Sequence, residues 1–281
     1  MTIANSGNWG GLAWEGSLEW PSSPTNRVYD LAVRLERGMT QHAAHRTYDY
    51  SLVHKHGDHE YPGGITAAME VMNMPGHCGT HVDALGHVAV DGCVFGERDA
   101  AAAQSESDGV PFGSVEELPP LVGPGHVVDG PAIYGREMSH EDGFHAETLE
   151  AWFADRPVPG RGSIVLLRTG RMLHWNDPQR YLGTGYGVPG LSLSGARWLT
   201  ELGVLAVGAD TASFEHKPIW TVPSMSVHAH LLVESGVPIM ESVYLETLAA
   251  DGIHDGFHFV AAPLRIKGGT GSPIRPLAFV V

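Results

Sequence analysis

Eleven residues, HCGTHVDALGH at 77 to 87, constrain this 281-residue chain more than any other stretch. They hold three histidines and one carboxylate: His77, His81, Asp83 and His87. On a helix His77 and His81 would share a face, but Asp83 would point roughly 200° of arc away from His81. On a strand all four have the same parity and face the same way. A straight strand still fails, because four residues at about 3.3 Å each put His77 about 13 Å from His81. Donor atoms about 2 Å from one ion lie within roughly 3 to 4 Å of each other. The spacing therefore predicts an extended segment that folds back on itself, with Gly79 and Gly86 as the bends. Cys78 has the opposite parity and is expected to point away as a small packing residue.

Imidazole nitrogen with carboxylate oxygen suits zinc, manganese or iron(II) and disfavours calcium or magnesium. The expected cofactor is a divalent transition metal, manganese or zinc. Two enzyme classes compete for it. His81-Val82-Asp83 with a distant histidine is the spacing of a facial-triad iron(II) oxygenase. Alternatively, His77, His81 and Asp83 are the ligands of a hydrolytic site that keeps a position open for water. Three ligands within seven residues favour the hydrolytic reading, since a triad leaves His77 and His87 unexplained. A third possibility is a catalytically silent metal-binding protein with a binding or assembly role. No Gly-x-Ser-x-Gly elbow calls for a serine nucleophile.

The remaining sequence sets the context. A net charge of −15 argues against nucleic acid or an anionic membrane surface as partner. No apolar run reaches 18 residues. The N-terminus lacks the basic start and apolar core of a signal peptide, so the cytoplasm is the expected location. Two cysteines, Cys78 and Cys93, give no disulfide framework. His54, His56 and His59 form a looser group, read as a solvated loop, with a loop over an active site as the alternative.

Residues 1–26, with Trp9, Trp14 and Trp20, read as an irregular arm, and 27–281 as a single α/β domain. Strands are expected at RVYDLAVRLERG, where Tyr29, Leu31 and Val33 alternate, at roughly 65–73, and within GHVVDGPAIY. HAETLEAWFADRP reads as a helix burying Leu149, Trp152 and Phe153. GSIVLLRTG (162–170) and VLAVGAD (204–210) read as strands buried on both faces. Between them, 191–203 reads as a helix capped by Ser192 or Ser194 and ended by Gly203. VHAHLLVESG and 241–252 read as short helices, and FHFVAAPLRI and RPLAFVV as strands. The sheets are expected to be partly antiparallel early and partly parallel late.

The motif His77-x-Gly79-Thr80-His81-x-Asp83-x-x-x-His87 resembles the signature of the metal-dependent cyclase family. That family includes bacterial kynurenine formamidases, isatin hydrolases and trans-dienelactone hydrolases. VYDLAVRLERGM, the strand ending in Arg168, Thr169 and Gly170, the acidic turn at Asp210, and VHAHLLVESGVPIMESV resemble further family segments. The resemblance implies a β/β/α (swivelling) arrangement around a metal site, assembled as a homodimer or homotetramer, with the 1–26 arm contacting a neighbour. It implies that His77, His81 and Asp83 hold the principal ion. His87 would be the general acid/base or a ligand to a second ion. The Leu231-Leu232 pair aligns His228, rather than His230, with the family's late histidine, and Glu241 with its late carboxylate. Leu85 stands where formamidases carry proline, so DALGH is similar to a broader branch. The implied activity is a metal-dependent hydrolase opening an amide or lactone bond of a small cyclic or aromatic substrate through metal-activated water. His87 would act as its proton shuttle.

Overall fold

A computed structural model describes residues 27–42, 44–218 and 225–280. The 1–26 arm and its three tryptophans lie outside the described residues. In chain order the strands that matter are β1 (Arg27–Asp30), β2 (Asp49–His54), β3 (Met69–Asn73), β4 (His81–Asp83), β5 (Leu121–Asp129) and β6 (Ile164–Arg168). They continue with β7 (Ala206–Ala209), β8 (Ile239–Glu241), β9 (Phe257–Ala261), β10 (Gly271–Pro273) and β11 (Leu277–Val280). Nine of these build one mixed sheet in the order β1-β11-β9-β5-β6-β7-β8-β4-β10. The centre, β5 to β8, is parallel, and both flanks are antiparallel.

The sheet is mixed as expected, with parallel pairs among later strands, but the last strands also pair antiparallel. Each antiparallel flank takes strands from both ends of the chain, a long-range pairing that local periodicity does not encode. The continuous apolar run of β6 is explained by burial on both faces. Val165 and Leu167 join the cluster beneath the helices α1 (Ala146–Phe153) and α2 (Leu193–Glu201). Ile164 and Leu166 face the opposite cluster with Tyr29, Val82, Met240 and Phe259. Ser192 caps α2 by accepting from Gly195 N, and Leu149, Trp152 and Phe153 are the buried side of α1.

Three further expectations need revision. The strand expected at roughly 65–73 is split into Ile65–Thr66 and Met69–Asn73, and it pairs outside the main sheet. The strand in GHVVDGPAIY ends at Asp129, whose side chain caps a helical turn over Gly130–Tyr134. The helix expected over 241–252 is confined to α3 (Glu246–Ala250), because Glu241 ends β8. Ser242 then takes a left-handed φ of 54°, and Ser242 N and Val243 N donate to Thr211 O and Ala209 O. Tertiary hydrogen bonds therefore override helix propensity there. No helix among the described residues is long and apolar enough to cross a membrane.

Candidate metal centre

The motif folds back as its spacing requires, though its two glycines act differently. Gly79 takes φ +59°, the left-handed conformation that favours glycine. Gly86 sits in the turn closed by His87 N donating to Ala84 O at 2.9 Å. Its role is room, since a Cβ there would lie 2.5 Å from Phe112 O. Cys78 is buried, and burial pushes its thiol up to about 11, as befits a packing residue rather than a ligand.

Between the bends, β4, the strand next to the edge strand β10 of the sheet, presents His81 and Asp83. Its antiparallel ladder with β8 sets His81 opposite Glu241. Thr80 fixes this register, donating to Ser242 O at 2.6 Å and accepting from Val33 N at 2.9 Å. Tyr181 extends the support, with its hydroxyl donating to Ser242 Oγ at 2.9 Å and lying 3.2 Å from Asp210 O. The Asp210 carboxylate accepts from Thr169 N, Thr169 Oγ1 and Gly170 N, and so ties the exit of β6 to that of β7. Burial pushes Asp210 up to about 6, and the Thr169 bonds oppose that rise.

Four residues at most 6% exposed converge here: His81, Asp83, His228 and Glu241. His81 Nε2 lies 3.5 Å from Asp83 Oδ1 and 3.6 Å from Glu241 Oε2. His228 Nε2 lies 3.7 Å from Asp83 Oδ2 and 3.4 Å from Glu241 Oε1. The far side of each ring fixes which nitrogen faces inward. His81 Nδ1 is 2.8 Å from the carbonyl oxygen of Gly79, which only accepts, so Nδ1 carries the proton. His228 Nδ1 is 2.9 Å from Glu215 Oε1, which also accepts from His228 N. An imidazole whose outer N–H is held this way presents its other nitrogen to a metal.

The electrostatics agree. Buried carboxylates Asp83, Glu241 and Glu215 outnumber the two imidazoles among them, and burying an unpaired charge is strongly unfavourable. Burial alone lowers the His81 imidazole, but Asp83 and then Glu241 outweigh it and raise the group to about 9. Burial likewise lowers His228, while Glu215, Glu241 and Asp83 raise it to about 10. Burial would push Asp83 up, yet His77 and His81 hold it well below the usual carboxylate range. A cavity that attracts protons this strongly also suits a divalent cation, and the donors fit one.

Asp83 is shared by two groups of converging donor atoms: His81, Asp83 and Glu241 form one, and His77, Asp83 and His87 the other. His77 and His81 both approach Asp83 Oδ1, yet each joins a different one of these two groups, which spacing along the motif does not reveal. His77 Nδ1 is 2.6 Å from Asp83 Oδ1, and its Nε2 is 3.0 Å from Thr270 Oγ1. The His87 ring lies against that of His77 with centroids 4.1 Å apart. Burial lowers the His87 imidazole, partly opposed by Asp83. His228 faces the cluster, whereas His230 turns outward to Glu234 Oε2 and Thr200 Oγ1.

Sequence reasoning missed Glu215 and Thr270. Glu215 lies in SFEHK, where nothing in the local pattern marks it, and Thr270 sits in a glycine-rich turn. Glu215→Gln leaves an amide that can still accept from His228 but removes a charge. We expect metal affinity to fall by about 10- to 100-fold, the usual worth of such an outer partner. Competition with a chromogenic chelator measures this, and an unchanged affinity would remove Glu215 from the centre.

The fold and this centre define a mixed α/β protein with a buried histidine–carboxylate site of metal-binding type. Residues 29–216 match the Cyclase family model, and the chain belongs to that family. The isatin hydrolase of Roseibium aggregatum is 26% identical over 234 residues, covering 81% of this chain and 80% of that protein. The kynurenine formamidase of Bacillus mycoides is 26% identical over 220 residues, covering 77% and 81%. A crystal structure described as a novel cyclase superposes with a TM-score of 0.81, covering 91% of this chain and 87% of that one at 24% identity. The chain is thus related to hydrolases, and its mixed α/β fold is shared with cyclase-family structures.

Proposed function

We propose that this protein is a metal-dependent hydrolase that opens an amide or lactone bond in a small cyclic or aromatic substrate. One observation carries the reading. The donor cluster adjoins a cleft of about 280 Å³ in which His87 is the sole ionisable lining residue, among the described residues, and Val94, Val110, Pro111 and Phe112 supply apolar wall. Such walls suit a small, flat apolar ring.

In this mechanism His77, His81 and Asp83 would hold the principal ion, and His228 and Glu241 would complete the site or hold a second ion. When bound, a divalent ion, manganese or zinc, lowers the pKa of coordinated water from about 15.7 towards 7 and polarises a carbonyl. Glu215 and the Gly79 carbonyl keep His228 and His81 aimed inward. His87, kept neutral at pH 7 by burial, accepts a proton at a ring nitrogen and returns it to the leaving nitrogen or oxygen. No hydrogen bond among the described residues occupies either of its nitrogens, which leaves the ring free for that exchange. The apolar walls limit competing water. A facial triad uses a single carboxylate, whereas two buried carboxylates converge here, which favours the hydrolase over the oxygenase. The charge of −15 supports a small-molecule substrate over nucleic acid or a membrane, and the cytoplasm is the location we propose.

The test is a panel of an isatin, an N-formyl aromatic amine and an unsaturated lactone, assayed without oxygen or 2-oxoglutarate. We expect turnover of at least one, abolished by chelation and restored by manganese or zinc. Turnover that needs oxygen would favour the oxygenase. Protein with no bound or rebinding metal would end the mechanism.

A further inference from the structure

Thr270 supplies the only side chain in the run GGTG (268–271), which leads into β10. The glycines around it are required by close backbone approach. A Cβ on Gly268 would collide with Asp108 O, and one on Gly271 would lie 2.7 Å from His77 Cε1. Thr270 O accepts from Ala84 N at 2.9 Å, which seats the residue beside Asp83. Its Oγ1 lies 3.0 Å from His77 Nε2, and the residue also lines the cleft that holds His87. Among the described residues no second hydrogen bond to Thr270 Oγ1 occurs. Gln104, the other uncharged polar residue of the lining, is exposed and has no hydrogen bond to the donor cluster among those residues.

Two other imidazoles of the centre lean on groups that only accept: His81 on the Gly79 carbonyl, and His228 on the Glu215 carboxylate. Thr270 differs, because a hydroxyl both accepts and donates. His77 Nδ1 is the nitrogen turned to the Asp83 carboxylate, at 2.6 Å. A ring that holds an ion through that nitrogen carries its proton on Nε2 and donates it to Oγ1. The hydroxyl proton of Thr270 is then free of His77. We propose that the Thr270 hydroxyl is the cleft's hydrogen-bond donor to the substrate carbonyl oxygen as that oxygen gains negative charge. Thr270 is thus a catalytic residue that keeps its proton and forms no covalent bond. Proton transfer stays with His87. This role rests on the hydrolase reading and adds a second side chain that acts on the substrate.

Thr270→Val removes the hydroxyl and keeps the shape, and Thr270→Ala is a second hydroxyl-free variant. At saturating metal we expect either to lower kcat by about 10²-fold on whichever panel member the parent turns over, the low end for an oxyanion donor. KM should stay within about threefold, since the bond strengthens in the transition state. The pH profile should keep the parent's shape, because His87 is intact. Chelator competition with manganese or zinc alone should show affinity lowered by about tenfold, since His77 loses its outer acceptor. Thr270→Ser should restore both quantities, which a packing role for the methyl group would not allow. With an active parent, undiminished kcat in Thr270→Val, unchanged metal affinity, or a serine variant as impaired as valine would each overturn the role of Thr270 alone. A parent inert on every panel member ends the hydrolase reading, and this role with it.

Discussion

Asp83→Asn should remove bound ion and turnover together, with activity falling on the order of 10³-fold or more. Loss of an outer partner alone costs about 10- to 100-fold. Asp83 is closer in: one oxygen meets His77 at 2.6 Å and His81 at 3.5 Å, and the other meets His228 at 3.7 Å. The amide preserves volume but removes the charge common to both donor groups. It also offers N–H donors to nitrogens that need an anion. Elemental analysis beside the rate measures both losses, and a variant with full metal content and normal turnover would refute the centre.

His87→Ala should lower kcat by about 10²- to 10⁴-fold, the usual range for a general acid/base. Metal content decides how. Retention of the parent's metal, with loss of the pH dependence that His87 imposes, assigns it to proton transfer. Loss of one of two ions instead assigns it to the group with His77 and Asp83. We expect retention, because His87 is the member that lines the cleft. Full turnover with full metal content would remove His87 from the mechanism.

The parts of this site legible in sequence are those whose chemistry is local. Parity and reach within 77–87 predict a bent extended segment, and Gly79 at φ +59° meets that need. β6 and α2 are legible because burial on both faces and a capped amphipathic stripe leave regular patterns. Glu241 is different: read locally it opens a helix, and only the ladder with β4 makes it a strand end facing His81. Glu215 has no local signature, because its role is set by a histidine thirteen positions later in an unrelated element. The sharing of Asp83 between two donor groups depends on side-chain direction about the Gly79 bend, which spacing does not contain.

The placement of β4 also orders the folding process. This early strand is inserted between two late ones, and Thr80 meets Ser242 across 162 positions of chain. Closing so large a loop is entropically costly and slow, so β4 should dock late. Until then a nascent chain offers an ion only the local half of the cluster, and Glu241 and His228 arrive when β8 meets β4. An ion that prefers the completed cluster binds the native state over the unfolded one, which stabilises it by mass action. It should act as a latch on the finished sheet, slowing unfolding far more than it speeds folding.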